Sequence, residues 1–471
     1  MSVLQSCSRP TELRLCFGAF VSMFVSFTPA VFVCFLTVGC GESLAGNGNL
    51  PVSGSADPTL LPVASGQVED LGAYGGRTLA AGQTYTDPAT GVLVVKLTDA
   101  NTPIAGNGRG VPDYSEGGPL ISQPWDSAGG IFYTLYVMVD VSPSTHYFVD
   151  VKYPDMTLHN WRQLSVMENV DLMWAWSLNP ATPRVGYGLG MPSRNVLRKF
   201  DTDAMSELTG GGFPKTIPEQ SGWLQVSVND EWFAMRSRST PTVFAYGPGT
   251  NTLHTWVFNS LDEPHLDRDG GYVYVIKTEV TAGCYSDANL NIIRLMRTSD
   301  GQEVQPAPNV SAWPAACSNE LYNTHIAGLR GRMVTENPHA SLGTQGRWEY
   351  AYDPVADQVI FHHSEDDAFD SSGHRAGQWV FNNGNGGSSQ WYVTSNFGGS
   401  AALRDAVGFV SIDPSMPVRL LAHHYTVGAK TNYFAQPHAT VSPDGKLVMW
   451  GSTMGVDGGR LDAFLARVPA R

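Results

Sequence analysis

The stretch Gln436-Pro437-His438-Ala439-Thr440-Val441-Ser442-Pro443-Asp444-Gly445-Lys446-Leu447-Val448-Met449-Trp450 reads as a β-hairpin: alternating residues after a histidine, a Pro-Asp-Gly turn, then an apolar strand. The same layout occurs twice more. Glu263-Pro264-His265 runs to Asp269-Gly270 and a strand from Tyr272 to Val275, and Asn323-Thr324-His325 runs to Gly331 and a strand at Met333-Val334. The three histidines are 60 and then 113 residues apart, the second interval being about twice 57. A histidine at one fixed point of a repeated unit implies that folding gathers these side chains in one place.

Outward from these hairpins, almost every apolar segment beyond residue 85 is short, alternating or aromatic-rich, and stops at Gly, Asn, Asp or Pro; Ile131 to Val139, Leu172 to Leu178 and Trp223 to Val228 are examples. No amphipathic helix of three turns is present in the pattern, so the domain is predicted to be all-β. Opening hairpins fall near Trp125, Trp174, Trp223, His265, His325, Trp391 and His438, at intervals of 42 to 66 residues. That period suits four-stranded blades with long loops, and seven of them predict a seven-bladed β-propeller over residues 85–471. Ring closure would need the segment Gly91 to Asp99 to join the last blade beside its final strand, Leu461 to Val468, which removes exposed sheet edges. A pair of β-sandwiches or a β-helix is the rival architecture, and neither requires a repeat of this length.

The chain has 471 residues, 42% hydrophobic and only 15% charged, with 50 Gly and 30 Pro, as expected for an ordered chain rich in strands and turns. Leu15 to Gly39 carries no charge, follows Arg9 and Arg14, and ends in Leu36-Thr37-Val38-Gly39-Cys40. This pattern looks like a bacterial lipoprotein signal peptide over residues 1–39, with Cys40 as the lipidated residue; an uncleaved membrane anchor is the alternative. Residues 40–84, rich in Gly, Ser, Pro, Asn and Ala, then read as a flexible linker. Either reading exports the domain to the bacterial cell envelope, at the outer membrane or cell surface, and tethers it there through its N-terminus.

Cys284 and Cys317 are the two cysteines beyond Cys40, and an oxidising compartment predicts one disulfide between them, a pair of buried thiols being the alternative. Loss of residues 1–39 removes two positive charges and one negative, taking the formal charge from −14 to −15. So acidic a surface gives no reason to expect nucleic acid as a partner. The domain is expected to be a monomer.

The hairpin around Ser442-Pro443-Asp444-Gly445-Lys446 resembles that of periplasmic TolB-like propellers. With His438 directly before it, Gln436, and His423-His424 upstream, the set resembles oligogalacturonate lyases. That family consists of seven-bladed propellers in which histidines and a glutamine hold a divalent metal at the channel mouth. The sequence departs from the family by placing Pro437 between Gln436 and His438, and Thr440 where a second histidine would stand. These departures bear on the metal set more than on the fold.

Because the first strand of each blade lines the channel, residues at its start converge on one mouth. His325, His424, Gln436 and His438 are the expected ligands of a divalent ion such as Mn, Zn or Ca. Cleavage of a uronic-acid oligosaccharide by β-elimination needs the carboxylate neutralised, a base for the neighbouring proton and an acid for the leaving oxygen. His265, Arg332 and Tyr433 are the candidates for these catalytic roles. Trp125, Trp174, Trp223 and Trp391 could stack on sugar rings, although packing between blades is the better reading for most of them. No Gly-Xaa-Ser-Xaa-Gly elbow, phosphate-binding loop or helical His-Glu-Xaa-Xaa-His is present, which leaves serine hydrolases, nucleotide enzymes and helical zinc proteases without support. A non-catalytic propeller binding an envelope protein or a glycan is the alternative function. A glycoside hydrolase would need two facing carboxylates, and Asp262, Glu263 and Asp267 do not separate into such a pair.

Overall fold

The computed structural model describes residues 54–67, 78–105, 110–111, 120–139, 145–164, 174–190, 193–277, 291–306, 321–323, 326–337, 348–364, 391–396, 402–428, 436–456 and 460–470. Among them the strands form an all-β, seven-bladed propeller, and the helical pieces are short 3₁₀ turns such as Pro58–Leu60 and Val228–Asp230. Cys40, Cys284 and Cys317, and with them the predicted lipid anchor and disulfide, lie outside the described residues.

Blade three shows the plan at its simplest: Ser221–Val226, Phe233–Ser237, Thr242–Gly247 and Thr252–Val257 form a four-stranded antiparallel meander. The starts predicted from the sequence fall at first strands. Trp125–Ser127 opens blade one, Trp174–Trp176 blade two, Pro264–Leu266 blade four and Thr440–Val441 blade seven, while Ile326–Leu329 opens blade five directly after His325. In blade six the described strands are Trp391–Asn396, Ala406–Ser411 and Arg419–His423. The three glycines of the opening pattern occupy the left-handed region, with φ of 76° at Gly270, 65° at Gly331 and 77° at Gly445. A side chain at these turn positions would be strained, and the sequence supplies none.

Closure follows the predicted route. Leu93–Lys96 pairs antiparallel with Asp462–Arg467, placing Val94 opposite Ala466 and Val95 opposite Leu465. The N-terminal strand therefore completes blade seven outside Thr440–Val441, Leu447–Ser452 and Asp462–Arg467. Gly110–Val111 bridges Asp462–Arg467 to Gly130–Val139, which joins blades seven and one into one ten-stranded sheet.

Residues 54–67 fall within the stretch whose composition suggests a flexible linker, yet they pack against the propeller as an extended strap. Asp57 N donates to Pro469 O, just past the last strand of blade seven, at 2.8 Å, and Leu420 N donates to Pro62 O and Ala64 N to Val418 O at 3.0 Å each, so the strap continues along Arg419–His423, the outer described strand of blade six. Pro58 and Pro62 suit an edge position, where a missing N–H costs no ladder bond.

Carboxylates at the hairpin turns tie neighbouring blades together. Asp444 of blade seven accepts from Tyr133 Oη of blade one at 2.5 Å. Asp230 of blade three accepts from Ser177 Oγ (2.6 Å), Leu178 N (2.8 Å) and Tyr187 Oη (2.9 Å) of blade two. Asp267 of blade four accepts from Gly331 N of blade five at 2.9 Å. Apolar packing fills the seams: Trp174, Trp176 and Trp391 are buried, and Trp176 Nε1 donates to Leu120 O across a seam at 3.0 Å. These tryptophans are interblade core and not sugar platforms.

Candidate functional site

The first strand of blade four is short, and alternation along it sends Glu263, His265 and Asp267 to one face and Pro264, Leu266 and Arg268 to the other. Glu263 and His265 are 5% and 3% exposed, and Glu263 Oε1 stands 2.9 Å from His265 Nε2. Asp267 takes a different part, accepting backbone N–H groups from Asp269 (3.1 Å) and Gly331 (2.9 Å). Across the ladder His265 faces Tyr274.

Blade three supplies the neighbouring cation. Arg236, near the end of Phe233–Ser237, donates from Nη1 to Asp262 O and lies 5.5 Å over the Trp223 ring. Burial pulls its guanidinium below its ordinary pKa, opposed by the charges of Asp262 and Glu263. Trp223 is held at φ 59°, a conformation that a bulky side chain adopts only under strain.

The second cluster lies where blade six passes into blade seven. His424 is fully buried, its Nδ1 accepts from Thr426 N at 3.0 Å and its Nε2 donates to Asn396 O at 2.7 Å. Both ring nitrogens are thus engaged by backbone and the tautomer is fixed as neutral. Burial pushes this imidazole down to about 4. His423 acts as a latch, with Nε2 2.9 Å from Gln67 O on the strap and its backbone N–H donating to Asp87 Oδ2 at 2.8 Å. Burial would raise the Asp87 carboxyl, but its hydrogen bonds from His423 bring it below the ordinary range. Gln436 and His438 are buried at the entry to blade seven, His438 at φ 44° and the nearby Tyr425 at φ 53°.

The predicted residues therefore divide. His265 sits at the start of a first strand with a carboxylate on its ring. Arg332 opens the second strand of blade five just beyond the Gly331 turn and points to Asp353 Oδ2 at 3.6 Å. It is thus at the hairpin end of the blade and serves Asp353, whereas His265 begins its strand at the other end. Tyr433 and His325 lie outside the described residues. Gln436 and His438 enter blade seven together, while His424 has no nitrogen lone pair left for a cation. Among the described residues no group of three or more His, Cys, Asp or Glu is arranged to hold a metal ion.

Sequence reasoning did not single out Arg236, and it left Glu263 among unassigned carboxylates. The Glu-Pro-His spacing carried the signal for Glu263, because alternate strand residues share a face. Arg236 had none, since only packing of blade three on blade four brings it near.

No protein-family model and no curated protein matches the chain. Among solved structures, the chain is similar to an oligogalacturonate lyase from Vibrio parahaemolyticus, with a TM-score of 0.53 at 14% identity over 82% of this chain and 96% of that one. It also matches the β-propeller domain of a trilobed protease from Pyrococcus furiosus (TM-score 0.41, 10% identity, 75% of this chain and 95% of that one). A third match is TolB from Acinetobacter baumannii (TM-score 0.35, 13% identity, 74% of this chain and 80% of that one). At these identities the likeness to the Vibrio structure is one of fold, and the fold is the seven-bladed propeller.

Proposed function

We propose that the protein is an exported, envelope-anchored lyase that cleaves uronic-acid oligosaccharides by β-elimination. The observation that carries this reading is the buried Glu263–His265 pair with the Arg236 guanidinium beside it across the seam of blades three and four. In this reading Arg236 binds the sugar carboxylate and stabilises the charge that develops when the neighbouring carbon loses its proton. His265 takes that proton, the C–H electron pair becomes the new C=C bond, and the adjacent C–O bond breaks. The imidazolium then returns the proton to the departing oxygen, so the reaction needs no further reagent. Arg236 thus takes the role that Arg332 had been expected to fill, and no step is routed through a metal.

The buried tryptophans of the seams do not bear on this reading, but the placement of Trp223 does. Its ring, held under Arg236 at the start of a first strand, orients the guanidinium. Export through residues 1–39 and lipidation at Cys40 complete the proposal and would place the enzyme at the cell surface. The test is incubation of the purified chain with oligogalacturonate and other uronic-acid oligosaccharides, following the ultraviolet absorbance of the unsaturated product. Product formation that is lost in Arg236→Met supports the reading. No product from any uronic-acid glycan overturns it in favour of an envelope propeller that binds without catalysis.

A further inference from the structure

A carboxylate offers only acceptor oxygens, so the hydrogen on the edge shared by Glu263 Oε1 and His265 Nε2 belongs to the imidazole. We infer that Glu263 is a positioning residue that fixes His265 as the Nε2–H tautomer, making Nδ1 the atom that accepts the substrate proton. The assignment of the proton-accepting atom rests on the lyase reading; the tautomer and its coupling to Glu263 do not.

The surroundings favour a charged Glu263. Arg236 interacts with it electrostatically from blade three, and Asp262 shares that guanidinium. On the same strand face Asp267 is committed to backbone donors, and Arg268, on the other face, donates to Val226 O at 2.9 Å. Across the ladder the facing group is Tyr274, packed with Tyr350 and Tyr352 of blade five. Burial raises the Tyr274 phenol well above its ordinary range, so it stays neutral. Glu263 is thus the anion in hydrogen-bond contact with the ring. It performs two tasks: it orients the imidazole, and it stabilises the imidazolium formed by proton transfer.

His424 provides an internal contrast. Its Nε2–H meets a backbone carbonyl and its Nδ1 is filled by a backbone N–H, so backbone groups hold the ring and the Asp405 charge acts on it only through space, outweighed by burial.

The test uses the full chain with ¹⁵N-labelled histidine, His265 being identified by the signal missing in His265→Gln. The wild type is expected to show the Nε2–H tautomer at neutral pH. Glu263→Gln keeps an acceptor oxygen and removes the charge. Its amide can also donate, so the Nε2–H population of His265 should fall several-fold relative to the wild type. In turnover, kcat should fall roughly ten-fold with KM unchanged. Glu263→Asp, which retains the charge, should restore the Nε2–H population in part. An Nδ1–H tautomer in the wild type, or an unchanged tautomer ratio in Glu263→Gln, would overturn the inference. If the tautomer is as expected while the wild type yields no unsaturated product, the pairing stands and the lyase reading alone falls.

Discussion

His265 and His424 are both almost entirely buried, both stand near the entry to a blade, and both were candidate site residues, yet their rings meet opposite surroundings. His265 faces the Glu263 carboxylate, which can balance a positive charge. His424 is held between Asn396 O and Thr426 N, which cannot. Burial therefore does not distinguish a proton-transfer histidine from a structural one. Between these two rings the hydrogen-bonding partner does, because a carboxylate in contact can balance an imidazolium and backbone groups cannot.

Exchange of the two residues is the strongest way to break this comparison. His265→Ala is expected to reduce kcat/KM on uronic-acid oligosaccharides about a thousand-fold in protein that stays folded by circular dichroism. Arg236→Lys keeps the charge but loses the planar fork, and should cost about a hundred-fold in kcat/KM in the same assay. His424→Ala should do the reverse: about 3 kcal/mol of stability lost in urea titration, with kcat/KM of the folded protein retained.

Acid stability sharpens the contrast. Burial lowers both His424 and His146 to about 4, from an unfolded value near 6.5. The unfolded chain then binds more protons than the folded one between these values, so stability is fully present above about pH 6.5 and falls as the pH drops towards 4. Each ring contributes up to about 3 kcal/mol to that fall. The expected result is a melting temperature that declines through this window, less steeply in His146→Phe. The smallest effect concerns the ties between blades: Tyr133→Phe removes the hydrogen bond to Asp444 and should cost about 1 kcal/mol, leaving turnover unchanged.

Much of the fold was legible because turns are encoded locally. Gly270, Gly331 and Gly445 mark left-handed positions that only a residue without a Cβ accepts cheaply, and the aromatic or histidine residue at each blade start follows from strand alternation. The closing strand was legible for a related reason, since an unpaired strand at each end of a ring calls for a partner. The strap at residues 54–67 was not. Its Gly, Ser and Pro content describes a chain without a core of its own, and says nothing about an edge elsewhere that could bind it. Nor was the engagement of His424 legible, because Asn396 and Thr426 meet it through backbone groups that every residue carries.

The sequence by itself determined the all-β class, the blade period, the turn positions and the ring closure, since each depends on residues near one another in the chain or on a repeat of them. Only the tertiary structure decided how the ring of His424 is engaged, that Arg236 and not Arg332 approaches Glu263 and His265, and that the strap packs on the propeller. Those outcomes depend on which side chains and backbone groups meet across seams between blades, where proximity in space has no counterpart in sequence spacing.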